Sequence, residues 1–268
     1  MGKDILGSLE MNRIYQIDCV EGMKLLPPSC IDLTVTSPPY DDLRNYKGFS
    51  FNFEGVAKEL FRVTKDGGVL VWVVGDSTKQ FCESMTSFKQ ALHFVENVGF
   101  KLLDTMIYYK QNYAPAYPTL RRYANQFEYM FVFVKGHKPK TFNPIQKEKV
   151  RNREEKVAYR QQDGTFIRKV KEKGRETKDA SNVWEYSTGG SASRDKIAFQ
   201  HPAIFPEKLA EDHILSWSKE TDVVLDPFMG SGTTAKTASM NNRKFIGFEL
   251  SSEYIKIANV RLDNLEEK

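Results

Sequence analysis

Seven short β-branched or aromatic runs recur along the chain: RIYQI at 13–17, IDLTV at 31–35, VLVWVV at 69–74, TMIYY at 105–109, YMFVFV at 129–134, VVLD at 223–226 and FIGFEL at 245–250. Helical periodicity fills much of the space between them, at about 54–64, 81–98, 205–217, 232–241 and 252–264. Runs this apolar are buried on both faces, and strands that take turns with helices form a mostly parallel sheet covered on either side. The expected fold is α/β and doubly wound, with a seven-stranded, mostly parallel sheet. No helix separates 105–109 from 129–134, which predicts an antiparallel element in that sheet. Leu209, Ala210, His213, Ile214 and Trp217 follow the spacing of a core-facing helical stripe.

The alternation lapses between 137 and 181, which reads as an insertion dividing the chain into 1–136, 137–181 and 182–268. Between Lys138 and Lys178 there are fourteen Lys plus Arg against six Asp plus Glu, a balance of +8, so the remaining 25 and 29 leave −4 of the overall +4. Such a segment is either a solvated surface loop or a surface that meets a polyanion.

Two strand ends carry unusual loops. The run at 31–35 ends in Thr36-Ser-Pro-Pro-Tyr40, and two prolines, each without an N–H and with a fixed φ, cannot continue a sheet. Alone this is a rigid strand-ending turn. The run at 223–226 ends in DPFMGSGTTAKTA, where Gly230 and Gly232 let a ligand approach the backbone and the next helix offers unpaired N–H groups. Gly230 to Ala235 satisfies G-x-G-x-x-A, and Glu249 closes the next strand where a ribose-binding acid is expected, so a nicotinamide dehydrogenase is one reading. A Walker loop fits less well, because no Gly-Lys-Ser/Thr follows at the required spacing.

Together, TSPPY and DPFMGSGTT resemble the catalytic motif and cofactor loop of the β-class, permuted amino-group DNA methyltransferases that use S-adenosylmethionine. HPAIFPEKLAEDHI resembles that family's His-Pro segment, and the order of the motifs matches as well. The resemblance covers 12–136 and about 182–264 and leaves the basic insertion where the family places target recognition. It implies a circularly permuted Rossmann-like methyltransferase fold. The implied activity is methyl transfer to an exocyclic amine of a flipped base, with cytosine N4 favoured over adenine N6 because Ser37 stands where the adenine enzymes tend to have Asp or Asn.

The resemblance also implies roles for particular residues. Ser37 and the Pro38 carbonyl would accept hydrogen bonds from the amine, Pro38 and Pro39 would keep those acceptors rigid, and Tyr40 would stack on the extruded base. On the cofactor side it places Asp18, Thr36, His201, Pro202, Asp226, Pro227, Phe228, Gly230, Gly232 and Thr233, with Glu249 on the ribose hydroxyls and Leu250 beside the adenine. A helix cap is the lesser, alternative reading of Asp18. For DNA contacts the candidates are Arg44, Tyr46 and Lys47 after the elbow, Lys110, Arg121 and Arg122 beyond another strand end, and the insertion, whose aromatics are Phe142, Tyr159 and Phe166.

Cysteine and histidine usage exclude other chemistries. Cys19, Cys30 and Cys82 form no C-x-x-C pair and none follows a proline, so neither a disulfide framework nor ring-carbon cytosine methylation is indicated. The four histidines have no metal-ligand spacing, and no metal is expected. No run reaches the roughly 20 apolar residues of a membrane span, and the N-terminus lacks a signal peptide. The expected location is the cytoplasm. The expected partner is double-stranded DNA, with a cognate restriction endonuclease and a second copy of the chain as further candidates. A non-enzymatic DNA-binding module would explain the basic segment but neither loop.

Overall fold

A computed structural model describes residues 4–39, 51–113, 121–148, 155–171, 176–189, 192–193, 195–201, 204 and 206–266. They fall into two compact units, Met1–Asn143 with Asn182–Lys268, and Pro144–Ser181.

The first unit is built on an eight-stranded sheet. Its strands, in chain order, are β1 (Arg13–Gln16), β2 (Ile31–Thr36), β3 (Thr64–Val74), β4 (Lys101–Lys110), β5 (Phe127–Val134), β6 (Val183–Tyr186), β7 (Val223–Asp226) and β8 (Lys244–Glu249). In space they lie in the order β6-β4-β5-β3-β2-β7-β8-β1. Only β5 runs against its neighbours, pairing antiparallel with both β3 and β4, while all other adjacent pairs are parallel. The antiparallel element expected from the missing helix is this strand.

The expected count of seven strands is corrected by one. Val183–Tyr186 adds an edge strand parallel to β4, in register Val183↔Ile107 to Tyr186↔Lys110. It is four residues long and alternates exposed and buried, so it lacks the continuous apolar run that marks the inner strands.

Helices α1 (Cys19–Lys24), α2 (Phe53–Val63) and α3 (Thr86–His93) cover one face, and α4 (Glu207–Trp217), α5 (Thr233–Met240) and α6 (Ser252–Glu266) the other. Strand alternation sorts the core between them. Leu70, Trp72 and Val74 of β3 join Phe131 and Phe133 of β5 under α1–α3. Met130 of β5 turns the other way and meets the His213 ring of α4 at 3.3 Å. Trp72 is fully buried and its indole N–H donates to Gln90 Oε1 at 2.9 Å, so its polar end is satisfied. Removing such a side chain from water contributes about 1.5–3 kcal/mol. The stripe expected on α4 is buried throughout, and burial pushes the His213 imidazole down to about 3. The helical pattern expected from 81 begins later, after a small hairpin at Thr78–Lys79 and Cys82–Glu83.

The second unit holds two antiparallel strand pairs, Gln146–Glu148 with Thr177–Asp179 and Glu155–Arg160 with Phe166–Lys171. Residues 137–143 belong to the first unit, where Phe142 stacks on Trp217 with ring centroids 5.0 Å apart. No helix among the described residues is long and apolar enough to cross a membrane.

Candidate active site

β2 and β7 are neighbours near the middle of the sheet, and their connections leave in opposite directions. β2 passes through α2 to β3 on one side, and β7 passes through α5 to β8 on the other. Loops that part in this way open a crevice beyond the carboxyl ends of the strands, where open α/β sheets bind their ligands. TSPPY leaves β2 at that point, and DPFMGSG leaves β7.

Short hydrogen bonds tie the two loops together. Thr36 Oγ1 donates to Asp226 Oδ1 at 2.6 Å, and both residues are buried. The Phe228 N–H donates to the same oxygen at 3.0 Å. Thr234, in the first turn of α5, donates through Oγ1 to the Val35 carbonyl at 3.2 Å. Burial pushes the Asp226 carboxyl up to about 6, against the opposing pull of its hydrogen bonds from Thr36, Thr234 and Phe228. Beyond Thr36, Pro38 is buried, while Ser37 and Pro39 are half-buried.

The loop after β7 folds back onto the end of β8. Met229 N–H donates to the Phe248 carbonyl at 2.9 Å, Gly230 N–H to Glu249 Oε2 at 2.9 Å and Ser251 N–H to Glu249 Oε1 at 2.8 Å. Each oxygen of the half-buried Glu249 thus holds a backbone donor and keeps a further lone pair for a ligand hydroxyl. Gly230 and Gly232 have φ of 51° and 79°, the left-handed region that favours glycine. A Cβ at Gly230 would come within 3.1 Å of His201 Nε2, and one at Gly232 within 2.6 Å of Ala258 Cβ. The loop therefore lies flat between the His201 ring and α6.

The remaining cofactor-side candidates take varied places. Pro227 and Thr233 are buried, and half-buried Phe228 meets Phe51 edge-on at 5.3 Å. The Leu250 carbonyl accepts from Gln16 Nε2 at 3.3 Å. Asp18 caps α1, accepting from the N–H groups of Val20 at 2.9 Å and Glu21 at 3.2 Å. It sits just beyond β1, whose register with β8 sets Gln16 beside Glu249. Tyr40, Arg44, Tyr46, Lys47 and Pro202 lie outside the described residues. Of the other basic candidates, Lys110 pairs with Glu128 at 2.8 Å, Arg122 pairs with Glu83, and Arg121 is exposed.

Five residues at this site escaped the sequence reading. Arg261, fully buried on α6, donates to Asp195 Oδ2 at 3.0 Å, Glu207 Oε1 at 2.7 Å, Ser231 Oγ at 3.1 Å and Thr233 Oγ1 at 3.1 Å. Lys236 of α5 reaches the same two carboxylates at 2.7 and 3.0 Å, and Ser193 Oγ donates to Glu207. The group draws on segments far apart in sequence. Its one local signal is Arg261 itself, a charge three and four residues beyond buried Ala258 and Ile257 on the apolar stripe of α6.

The model of a protein family described as DNA methylase matches residues 31–260. The chain is 59% identical over 240 residues to the orphan methyltransferase M.BamHII of Bacillus amyloliquefaciens, covering 87% of this chain and 89% of that protein. Among solved structures, the PvuII DNA methyltransferase (cytosine-N4-specific) superposes with a TM-score of 0.68 at 21% identity, over 92% of this chain and 85% of the other. The complex of M1.HpyAVI with SAM superposes with a TM-score of 0.62 at 26% identity, over 94% and 98%.

Proposed function

Because the chain belongs to the DNA methylase family, we propose that it transfers a methyl group from S-adenosylmethionine to an exocyclic amine of a base flipped from double-stranded DNA, with cytosine N4 as the acceptor. The observation that carries this reading is the 2.6 Å hydrogen bond between Thr36 and Asp226. It joins the elbow and the glycine loop at one crevice, so a cofactor on the loop and an amine at the elbow would be neighbours.

The crevice suits this cofactor by the chemistry of its side chains. Asp18 and Glu249 are carboxylates at adjoining strand ends, the acceptors that an adenine amino group and ribose hydroxyls require. Asp226, Pro227, Phe228, Gly230, Gly232 and Thr233 would border the rest of the ligand, with Thr36, His201, Pro202 and Leu250 around them. When bound, S-adenosylmethionine supplies an electrophilic methyl group on a sulfonium.

The elbow prepares the acceptor. An exocyclic amine is a poor nucleophile because its lone pair is delocalised into the ring. Ser37 and the Pro38 carbonyl accept hydrogen bonds from its two N–H groups and direct the lone pair outward. Pro38 and Pro39 hold these acceptors rigid before the base arrives. Tyr40 offers a stacking face to the extruded base. Ser37 supports cytosine over adenine N6, which is the alternative acceptor. A nicotinamide enzyme would leave the elbow without a role.

The unit Pro144–Ser181 is the proposed target-recognition region. It carries twelve Lys plus Arg against seven Asp plus Glu, a balance of +5. With the elbow preceding the glycine loop in the chain, a circularly permuted arrangement accords with this placement. Arg44, Tyr46, Lys47 and Arg121 are further candidates for DNA contact, whereas Lys110 and Arg122 already neutralise carboxylates.

The test is single-turnover transfer of labelled methyl groups to duplex DNA by the parental protein and by Ser37→Ala. Loss of one preorganised acceptor costs about 10²–10³ in rate, while cofactor binding by calorimetry is retained. Transfer at the parental rate in this variant would remove the elbow from the chemistry.

A further inference from the structure

The charged group beneath the glycine loop joins three things that the proposed chemistry needs held together. Arg261 grips the loop itself through Ser231 and Thr233. With Lys236 it also holds Asp195 and Glu207, which bracket the segment bearing His201. Two turns earlier on α6, Tyr254 meets the His201 ring edge-on at 4.2 Å, and the same ring covers Gly230. Tyr254 and Arg261 are seven residues apart, so both lie on one face of the helix. Burial raises both carboxyls, but hydrogen bonds from Lys236 and Arg261 bring Asp195 below the usual carboxylate range, and a hydrogen bond from Ser193, then Lys236 and the Arg261 charge, do the same for Glu207.

A buried ion pair is a poor source of net stability, since desolvating the charges offsets much of their attraction. Two cations and two anions sharing bonds with one another and with a loop instead fix geometry, because each partner is over-determined. We propose that Arg261 and Lys236, with Asp195 and Glu207, form a clasp that locks the His201 segment and the glycine loop in the shape that receives the cofactor. These are positioning residues: they touch the loop, not the ligand, and set affinity through it. The inference rests on the reading of this loop as the S-adenosylmethionine site.

The test measures S-adenosylmethionine binding by calorimetry, and initial rates over a range of cofactor concentrations, for the parental protein, Asp195→Asn and Arg261→Lys. Thermal melts identify folded variants. Asp195→Asn keeps the shape of the side chain but takes a charge from both cations. Arg261→Lys keeps the charge but loses the fork that spans carboxylates and loop. Both are expected to weaken cofactor binding at least tenfold and to raise its KM in proportion, with kcat at saturating cofactor within about twofold of parental. The NMR signals of the His201 ring should shift in both. If Arg261→Lys does not fold, Asp195→Asn decides the matter. Affinity within twofold of parental in a folded variant would overturn the clasp, whereas no binding by the parental protein would overturn the functional reading on which it stands.

Discussion

Asp226, at the proposed site, costs the fold stability at neutral pH. Its carboxyl is raised from 3.8 to about 6 by burial, although Thr36 and Phe228 donate to it. A raised acid binds a proton in the folded state that the unfolded chain has already released. Stability attributable to this group is therefore greatest below about pH 4 and falls as pH rises through 4 to 6. About two units correspond to about 3 kcal/mol. The Asn amide oxygen can accept the hydrogen bonds of Thr36 and Phe228 without titrating, and the Thr234 hydroxyl, which also donates to the Val35 carbonyl, can accept from the Asn N–H, so Asp226→Asn should be more stable than the parental protein at pH 7 when no ligand is bound. Urea unfolding of both proteins at intervals from pH 4 to 7 would check this, the expected outcome being a difference that grows in favour of the variant and then levels off. A constant difference would mean that Asp226 does not titrate in that range. Keeping a costly carboxylate at the junction of elbow and loop accords with selection for function over stability.

Among the elements, the ribbon Glu155–Arg160 with Phe166–Lys171 is the clearest candidate for DNA contact. Residues 158 to 170 are exposed, and the tip is closed by Asp163, whose carboxylate accepts from the Thr165 N–H at 2.9 Å and hydroxyl at 2.7 Å. Cross-strand partners share a face, so Arg160 stands beside Phe166 and Arg168 beside Ala158. A two-stranded ribbon is narrow enough to enter the major groove, and Arg is suited to guanine edges and phosphates there. Changing Arg160, Arg168 and Lys169 together to Gln should weaken DNA binding and flatten the dependence of log affinity on log salt by up to about 3, at roughly 0.9 for each phosphate no longer neutralised. S-adenosylmethionine affinity should stay at its parental value. An unchanged salt slope would return the ribbon to the status of a solvated hairpin.

At the scale of the whole molecule, what was legible in the sequence is what local chemistry dictates. The inner strands declared themselves by continuous apolar runs, and both loops by prolines and glycines that few other conformations tolerate. The Thr36–Asp226 bond joins residues 190 apart in the chain and follows only from β2 and β7 lying side by side. The edge strand Val183–Tyr186 escaped because half of it faces solvent, and the charged clasp because Glu207 and Lys236, read locally, look like ordinary charges on helix surfaces. Of the two sequence readings of Asp18, the helix cap is what the structure shows, and its place on the cofactor side is a proposal. The proposed role of this sheet is to bring a methyl donor and an exocyclic cytosine amine together. Its most direct test is nucleoside mass spectrometry of duplex DNA incubated with the protein and isotopically labelled S-adenosylmethionine. Labelled N4-methyldeoxycytidine is the expected product; a label on N6-methyldeoxyadenosine would contradict the base inferred from Ser37, and a label on a ring carbon, or none on any nucleoside, would contradict amino-group transfer at the elbow.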